Sequence, residues 1–309
     1  MEKSTEISSK FWNLPQKPFE ELNRETLFLD DIISKYHIEK KLLANIGDIK
    51  TVFDGGAGYG RFSILLAKQG LKVTHLDISL PMIEKAREIA KENNVYDNMT
   101  FIHGSLEELT QFKDKEFDLV VSFDSPISYT YPKHKETLEN LIRICSKKII
   151  IGVYSRLAWT NIFDPAQKYK YILNKDADDP LVRWTVNSGI KMVKDYKPDM
   201  ESAKSLFQTG LMEKYEETIK KFTDGAIPWP ISYSFMPEEI IEIMEKYGLK
   251  NIKLAGPGAL SRSIPGEVLE NIMKDNKLKK EFLEFCYEYD NQKWVAGMGK
   301  DNIIVNAEI

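Results

Sequence analysis

The feature that most constrains the fold of this chain is a regular alternation of short β-branched runs with amphipathic helical stretches. Strands joined by crossover helices build a parallel sheet that carries helices on both faces. The alternation predicts five strands, at residues 49–54, 72–77, 99–104, 117–124 and 147–155. The sequence therefore predicts a doubly wound α/β fold over this part of the 309-residue chain.

The alternation stops after residue 155 and resumes near residue 236. Residues 156–232 are predicted to be mainly helical and rich in aromatic residues, and we interpret them as an inserted cap that determines substrate specificity. A helix over residues 236–249 and strands over residues 250–256 and 301–309 then complete the sheet. The predicted domains are an N-terminal helical lid segment (1–48), the core (49–155), the cap (156–232) and the completion of the core (233–309).

The composition argues against several classes of partner. The formal net charge is -4, so we expect no wide positive surface that would hold a nucleic acid. No stretch is long and apolar enough to cross a bilayer, and residues 1–10 lack the apolar centre of a signal peptide, so we expect a cytoplasmic protein without membrane contact. Cys145 and Cys286 lack metal-binding or redox spacing and are predicted to be small buried side chains, and no metal site is expected.

A glycine-rich segment follows the first predicted strand. Asp54, Gly56, Gly58 and Gly60 stand at alternate positions where a buried strand turns into a helix. Glycines there let the backbone approach a ligand, and the helix that follows offers free N–H groups to a polar or anionic group. The dinucleotide pattern GxGxxG is not met, because Arg61 occupies the position of its third glycine.

This segment resembles the first motif of class I S-adenosylmethionine (SAM)-dependent methyltransferases, D/E-x-G-x-G-x-G, which stands here as Asp54-Gly55-Gly56-Ala57-Gly58-Tyr59-Gly60. The resemblance implies a Rossmann-like, seven-stranded, mostly parallel sheet with an antiparallel last strand. It also implies SAM as the cofactor, S-adenosylhomocysteine as the product, and contacts with the cofactor from Asp54, Gly56, Ala57, Gly58 and Gly60.

Further positions match the same family after the second and third predicted strands. Asp77 stands where the family has an acidic residue that binds the two ribose hydroxyls, and Ile78 would then flank the adenine. Ser105 stands where the family usually has an acid that contacts the adenine amino group, and a serine hydroxyl accepts that bond more weakly. The backbone N–H of Leu106 is available beside it.

The resemblance also suggests residues near the transferred methyl group. Phe123 and Asp124 end the fourth predicted strand, beside the family's methyl-donor site. Asp124 is a candidate general base or amine-orienting group, although a turn carboxylate is an equal alternative, and Tyr129 in the following loop is the second catalytic candidate. Arg24 resembles a basic residue that pairs with the donor's carboxylate in some members. Phe11 and Trp12 are candidate lid residues, although packing against the sheet edge is an equal alternative.

The sequence thus predicts a methyltransferase that acts on nitrogen, oxygen or sulfur of a small-molecule metabolite. The N-P-P-Y/F tetrapeptide of many enzymes that methylate amino groups is replaced by Asp124-Ser125-Pro126-Ile127. A tRNA or protein methyltransferase and a non-catalytic SAM-binding module remain as alternatives, and a nicotinamide oxidoreductase would require a different glycine loop. The sequence carries no prediction of the oligomeric state.

Overall fold

The computed structural model describes residues 4–15, 17–158, 200–211, 230–300 and 302–309. Seven strands form one sheet in the order β3-β2-β1-β4-β5-β7-β6. The strands are β1 (Thr51–Gly55), β2 (Lys72–Asp77), β3 (Met99–His103), β4 (Phe117–Ser122), β5 (Cys145–Tyr154), β6 (Lys250–Ala255) and β7 (Asn302–Glu308). Only β7 runs antiparallel to its neighbours, β5 and β6. The predicted seven-stranded Rossmann-like sheet with an antiparallel last strand is confirmed.

Ten α-helices lie among the described residues. They are α1 (Ser4–Trp12), α2 (Lys17–Leu27), α3 (Leu29–Leu43), α4 (Arg61–Lys68), α5 (Leu80–Glu92), α6 (His134–Ile144), α7 (Met200–Thr209), α8 (Pro237–Lys246), α9 (Gly266–Lys274) and α10 (Asn276–Asp290). None of these described helices is long and apolar enough to cross a membrane. Three of these helices, α1, α2 and α3, precede the first strand of the sheet.

Both faces of the sheet are covered, as the buried runs in its strands require. Phe53 belongs to a core cluster that includes Leu138 of α6 and Ile240 of α8. The adjacent Val52 belongs to a second cluster that includes Leu42 of α3 and residues of α4 and α5. Because successive side chains of a strand point to opposite faces, β1 contributes to both cores and lies at the centre of the molecule.

The chain between β6 and β7 forms two successive helices, α9 and α10, because Asp275 starts a new one. Its Oδ1 accepts hydrogen bonds from the backbone N–H groups of Lys277 and Leu278, at 2.9 and 3.0 Å. This side chain satisfies donors that an N-terminus leaves without partners, and so it caps α10. The resulting pair, α9 and α10, packs on α3 through a third buried cluster.

Much of the predicted cap lies outside the described residues. This applies to residues 159–199 and 212–229, and with them to Trp159, Tyr169, Tyr171, Trp184 and Trp229. Within the described part, α7 is helical, as predicted, and Leu211 forms an isolated antiparallel bridge with Tyr233. The division into core and cap stays a prediction.

The two cysteines are buried and free, as predicted. Burial raises the pKa of the Cys145 thiol to about 11 and that of Cys286 to about 12. The thiolate is the nucleophilic form of cysteine, so both side chains are expected to be unreactive near neutral pH. The apolar sequence around Cys145 suggests a helix, and this expectation is wrong. Cys145 is the first residue of β5.

Candidate functional site

The glycine-rich segment forms a tight turn between β1 and α4. The backbone N–H groups of Gly56 and Ala57 both donate to the carbonyl of Leu76, at 2.8 and 3.1 Å, and this fastens the turn to β2. Gly56, Gly58 and Gly60 have φ values of 68°, 56° and 87°. L-residues rarely adopt this left-handed backbone, so the alternate glycines are what allows the turn.

A glycine is needed at position 56 for a second reason, because a Cβ atom there would lie 2.4 Å from Cβ of Pro126. We expect Gly56→Ala to lower the free energy of unfolding by about 2–3 kcal/mol, through left-handed strain and overpacking, and to weaken cofactor binding. Urea unfolding monitored by circular dichroism measures the first effect. The matched control is Gly70→Ala, at φ 82° with no atom within 4 Å of the added Cβ. Equal losses in both variants would show that the collision with Pro126 contributes nothing.

Asp77 ends β2 with its carboxylate held by the backbone on two sides. Its Oδ2 accepts from the Gly58 N–H and its Oδ1 from the Ser79 N–H, both at 2.7 Å. Burial raises the pKa of Asp77 from its usual value, and these two hydrogen bonds oppose the rise. Ser79, and not Asp77, caps the N-terminus of α5. Each carboxylate oxygen keeps lone-pair capacity for a ligand hydroxyl.

Asp54 lies below the glycine turn and is only 2% exposed. Its Oδ2 accepts a hydrogen bond from the Ser63 hydroxyl at 2.6 Å, and that hydroxyl also lies 3.1 Å from Nδ1 of His75. Burial raises the pKa of Asp54 to about 7, the Ser63 bond opposes this, and the charges of Asp77 and Asp124 add to the rise. The Asp54 carboxyl is therefore poised to change its charge near neutral pH.

These residues line one cleft at the carboxyl ends of β1, β2 and β4, where the strand order reverses around β1. Ligands of open α/β sheets bind at this position. The sequence-predicted residues that line it are Asp54, Gly56, Ala57, Gly58, Asp77, Ile78, Ser105, Leu106, Phe123, Asp124 and Tyr129. Gly60 is not among the lining residues, because a Cβ there would face Ala86 and Ile64. Arg24 lies in α2, and its side chain is outside the described residues.

Asp124 and Tyr129 line the cleft after the end of β4. Asp124 has a left-handed φ of 61°, and one of its carboxylate oxygens lies 3.8 Å from Nη1 of Arg61. Tyr129 belongs to a 3₁₀ helix (Pro126–Thr130), and its hydroxyl is hydrogen-bonded to that of Tyr154. The edge-on ring of Trp12 lies 6.0 Å from the Tyr129 ring. A carboxylate and two aromatic rings therefore line this part of the cleft, and their place beside the transferred methyl group stays a prediction.

Helix α1, which belongs to the predicted N-terminal lid segment, lines the cleft with Trp12 and with residues for which the sequence carried no prediction. Phe11, the other lid candidate, is buried and is not among the lining residues. Thr5 and Ser8 contribute to the lining, and the Thr5 hydroxyl donates to the Glu107 carboxylate. The Ser79 hydroxyl donates to the Trp12 carbonyl at 2.7 Å, which ties α1 to the turn after β2. No local signal predicts these contacts, because α1 precedes β1 by about 40 residues and meets the cleft only through the tertiary fold.

Two histidines near the cleft differ in their surroundings. Nε2 of His103 lies 3.1 Å from the carbonyl of Ile78, which lines the cleft. His134 begins α6 and is buried, stacked against the rings of Tyr131 and Tyr233. Burial lowers its pKa to about 4, so it stays neutral at neutral pH.

A doubly wound sheet with a glycine turn, an acidic residue at the end of β2 and a cleft at the carboxyl ends of its strands defines a Rossmann-like protein that binds an adenosine-type cofactor. Residues 52–148 match a family model described as a methyltransferase domain. Residues 52–148 are therefore similar to a methyltransferase domain, which agrees with the resemblance of the glycine-rich segment to SAM-dependent methyltransferases.

Individual relatives cover parts of the chain. Over 82 residues it is 34% identical to the tRNA 5-carboxymethoxyuridine methyltransferase of Escherichia coli (strain K12), a match that covers 26% of this chain and 31% of that protein. Over 137 residues it is 30% identical to the chloroplastic magnesium protoporphyrin IX methyltransferase of Arabidopsis thaliana, covering 41% and 43%. A SAM-bound structure of the latter enzyme from Synechocystis PCC 6803 gives a TM-score of 0.40 at 25% identity, covering 48% of this chain and 75% of that one. The chain thus spans less than half the length of these two curated relatives.

The cleft residues fit SAM. A Cβ atom at Gly58 would meet no atom within 4 Å, so the space beside the turn is open to a ligand. Asp77 presents a carboxylate suited to two neighbouring hydroxyls, and Ile78 and Leu106 supply apolar surface for a flat base. Ser105 already accepts a hydrogen bond from the Glu107 N–H at 3.1 Å, so its hydroxyl is partly engaged within its own turn.

Proposed function

We propose that this protein transfers the methyl group of SAM to nitrogen, oxygen or sulfur of a small-molecule metabolite. The observation that carries this proposal is that Asp124 and Tyr129 line the same cleft as Asp77 and the glycine turn, together with α1. Trp12 of α1 lies edge-on to Tyr129 in this cleft. The formal net charge of -4 agrees with an acceptor other than a long polyanion.

The bound cofactor supplies a methyl group on a positively charged sulfur. The chain's own contribution is to hold the acceptor in line with that methyl group, and positioning of this kind is worth about 7–11 kcal/mol in favourable intramolecular reactions. Asp77 and the glycine turn fix one end of the cofactor. Arg24 is proposed to pair with its carboxylate, as an arginine fork suits that group.

Asp124 is proposed to orient the acceptor or accept its proton. Its side chain is half exposed and lies in the cleft, so an acceptor can reach its carboxylate. Arg61 lies beside it, with Nη1 3.8 Å from one carboxylate oxygen. Tyr129 is proposed to form the wall against which the acceptor packs, with its hydroxyl fixed by Tyr154.

Removal of the Tyr129 hydroxyl tests its part in the acceptor site. We expect Tyr129→Phe to lower kcat/KM about two- to tenfold, because a buried hydrogen bond is worth about 0.5–1.5 kcal/mol, while the affinity for SAM is unchanged. Steady-state kinetics and calorimetry measure the two quantities. The matched control is Tyr96→Phe, on a ring that stacks on Phe101 outside the cleft. An unchanged kcat/KM in Tyr129→Phe would remove this residue from the acceptor site.

A second candidate function is methylation of tRNA, which the match to the Escherichia coli tRNA enzyme favours. Incubation with SAM labelled in its methyl group, against separate pools of metabolites, tRNA and protein, discriminates between the candidates. Label in the metabolite pool supports the proposal, and label only in tRNA or protein overturns it. Binding of SAM without transfer to any pool would indicate a non-catalytic SAM-binding module.

A further inference from the structure

A groove with a volume of about 1150 Å³ lies along β6, an edge strand of the sheet. Its walls are the end of α3 with Asn45, residues 250–254 of β6, Asn306 of β7 and the end of α10. None of the residues that line the groove also lines the cleft. The groove is therefore separate from the cleft at the carboxyl ends of the strands.

The groove carries lysines that have no counter-ion. Lys41, Lys250, Lys253 and Lys293 line it, and within the described residues no carboxylate lies within 4.0 Å of their amino groups. Lys41 is only 6% exposed, and its Nζ donates a hydrogen bond to Oδ1 of Asn291 at 2.5 Å. A buried charge without an opposite charge is costly, and such sites concentrate where a ligand completes them.

Two of the lysines that line the groove, Lys41 and Lys253, repel each other electrostatically. Burial and, to a smaller extent, the charge of Lys253 together lower the pKa of Lys41 to about 8. The unpartnered, buried His37 lies on the same helix one turn earlier, and the ring of Tyr287 packs on it at 4.8 Å. An anion between the two lysines would relieve their repulsion and compensate the buried charge.

We propose that Lys41 and Lys253 form a second binding site, for a small anion that bears phosphate or carboxylate groups. The side-chain amides of Asn45, Asn291 and Asn306 line the same groove. Each already donates one hydrogen bond within the protein, and its NH₂ group has a second N–H for a ligand. Glu245 and Glu288 also line the groove and limit its positive charge. A compact anion therefore fits this surface better than an extended polyanion.

Calorimetric titration of the purified chain with inorganic pyrophosphate and, separately, with citrate tests the site and distinguishes phosphate from carboxylate ligands. We expect saturable binding of at least one of them at low ionic strength. Lys253→Gln, at an exposed position that leaves folding intact, should weaken it about ten- to a hundredfold, and Lys41→Gln should do the same. Lys113→Gln, an exposed lysine on the loop before β4, is the matched control and should leave it unchanged.

Three results would overturn the proposal. The first is the absence of saturable binding of either anion. The second is an equal loss in Lys113→Gln, which would indicate diffuse attraction to surface lysines. The third is displacement of the anion by saturating S-adenosylhomocysteine, which would assign the anion to the cleft.

Discussion

Replacing Asp77 by alanine is expected to weaken SAM binding about a hundredfold or more. The substitution removes two acceptors for ligand hydroxyls, each worth about 1.5–3 kcal/mol when the acceptor is charged. It also leaves the N–H groups of Gly58 and Ser79 without the oxygens that now accept from them. We therefore expect Asp77→Ala to disrupt both the glycine turn and the proposed site for the ribose hydroxyls of SAM.

Calorimetric titration with SAM measures this loss. Asp77→Asn separates the two causes, because it keeps one oxygen acceptor and removes the charge, so it should bind with intermediate affinity. Asp97→Ala, at an exposed aspartate before β3, is the control and should bind as the parent chain does. SAM binding that is indifferent to Asp77→Ala would contradict the assignment of the cleft, and a parallel titration with NAD tests the nicotinamide alternative.

The second large effect is on the pH dependence of stability. Asp54 has a pKa of about 7 in the folded chain, above the usual 3.8, so between these values the folded state binds the proton that the unfolded state releases. Asp54 therefore contributes stability at low pH that is lost as the pH rises through about 7, with a slope of at most about 1.4 kcal/mol per pH unit. We expect Asp54→Asn, which cannot ionise but can still accept from Ser63, to remove this contribution.

Urea unfolding of the parent chain and of Asp54→Asn, between about pH 5 and 8, measures the effect as the difference between the two free energies of unfolding. The parent chain should lose stability relative to the variant as the pH rises. Asp290, whose pKa burial raises to about 6, titrates in both chains and cancels in the difference. Asp97→Asn is the control at an exposed site. A constant difference across this range would contradict the raised pKa of Asp54.

Much of the candidate cofactor site could be predicted, because each of its features depends on residues that are close together in the sequence. Gly56 and Gly58 are required by the backbone of one turn, and Asp77 ends a strand whose apolar run is visible in the sequence. Parallel strands bring their carboxyl ends to the same edge, so residues at those ends meet. Gly60 shows the limit of such reasoning, since the same motif position faces Ala86 instead of the cleft.

Other features depend on contacts between distant parts of the chain. Helix α1 reaches the cleft from the N-terminal end, and Tyr154 meets Tyr129 because β5 lies beside β4. His134 has the pattern of an exposed helix start, yet chain segments about 100 residues later bury it against Tyr233. The spacing of neighbouring residues predicts neither the burial of a side chain by distant segments nor its contacts with them.

The sequence by itself determined the order of strands and helices, the glycine turn and the acidic residue at the end of β2, because each depends on residue types within one element or turn. The tertiary structure alone decided that Thr5 and Ser8 line the cleft and that Asp54 is buried enough to raise its pKa. It also decided that Lys41 is buried in the same groove as Lys253, with an amide and not a carboxylate as its partner. Burial and charge proximity arise when distant segments pack, and they set the electrostatics of both sites.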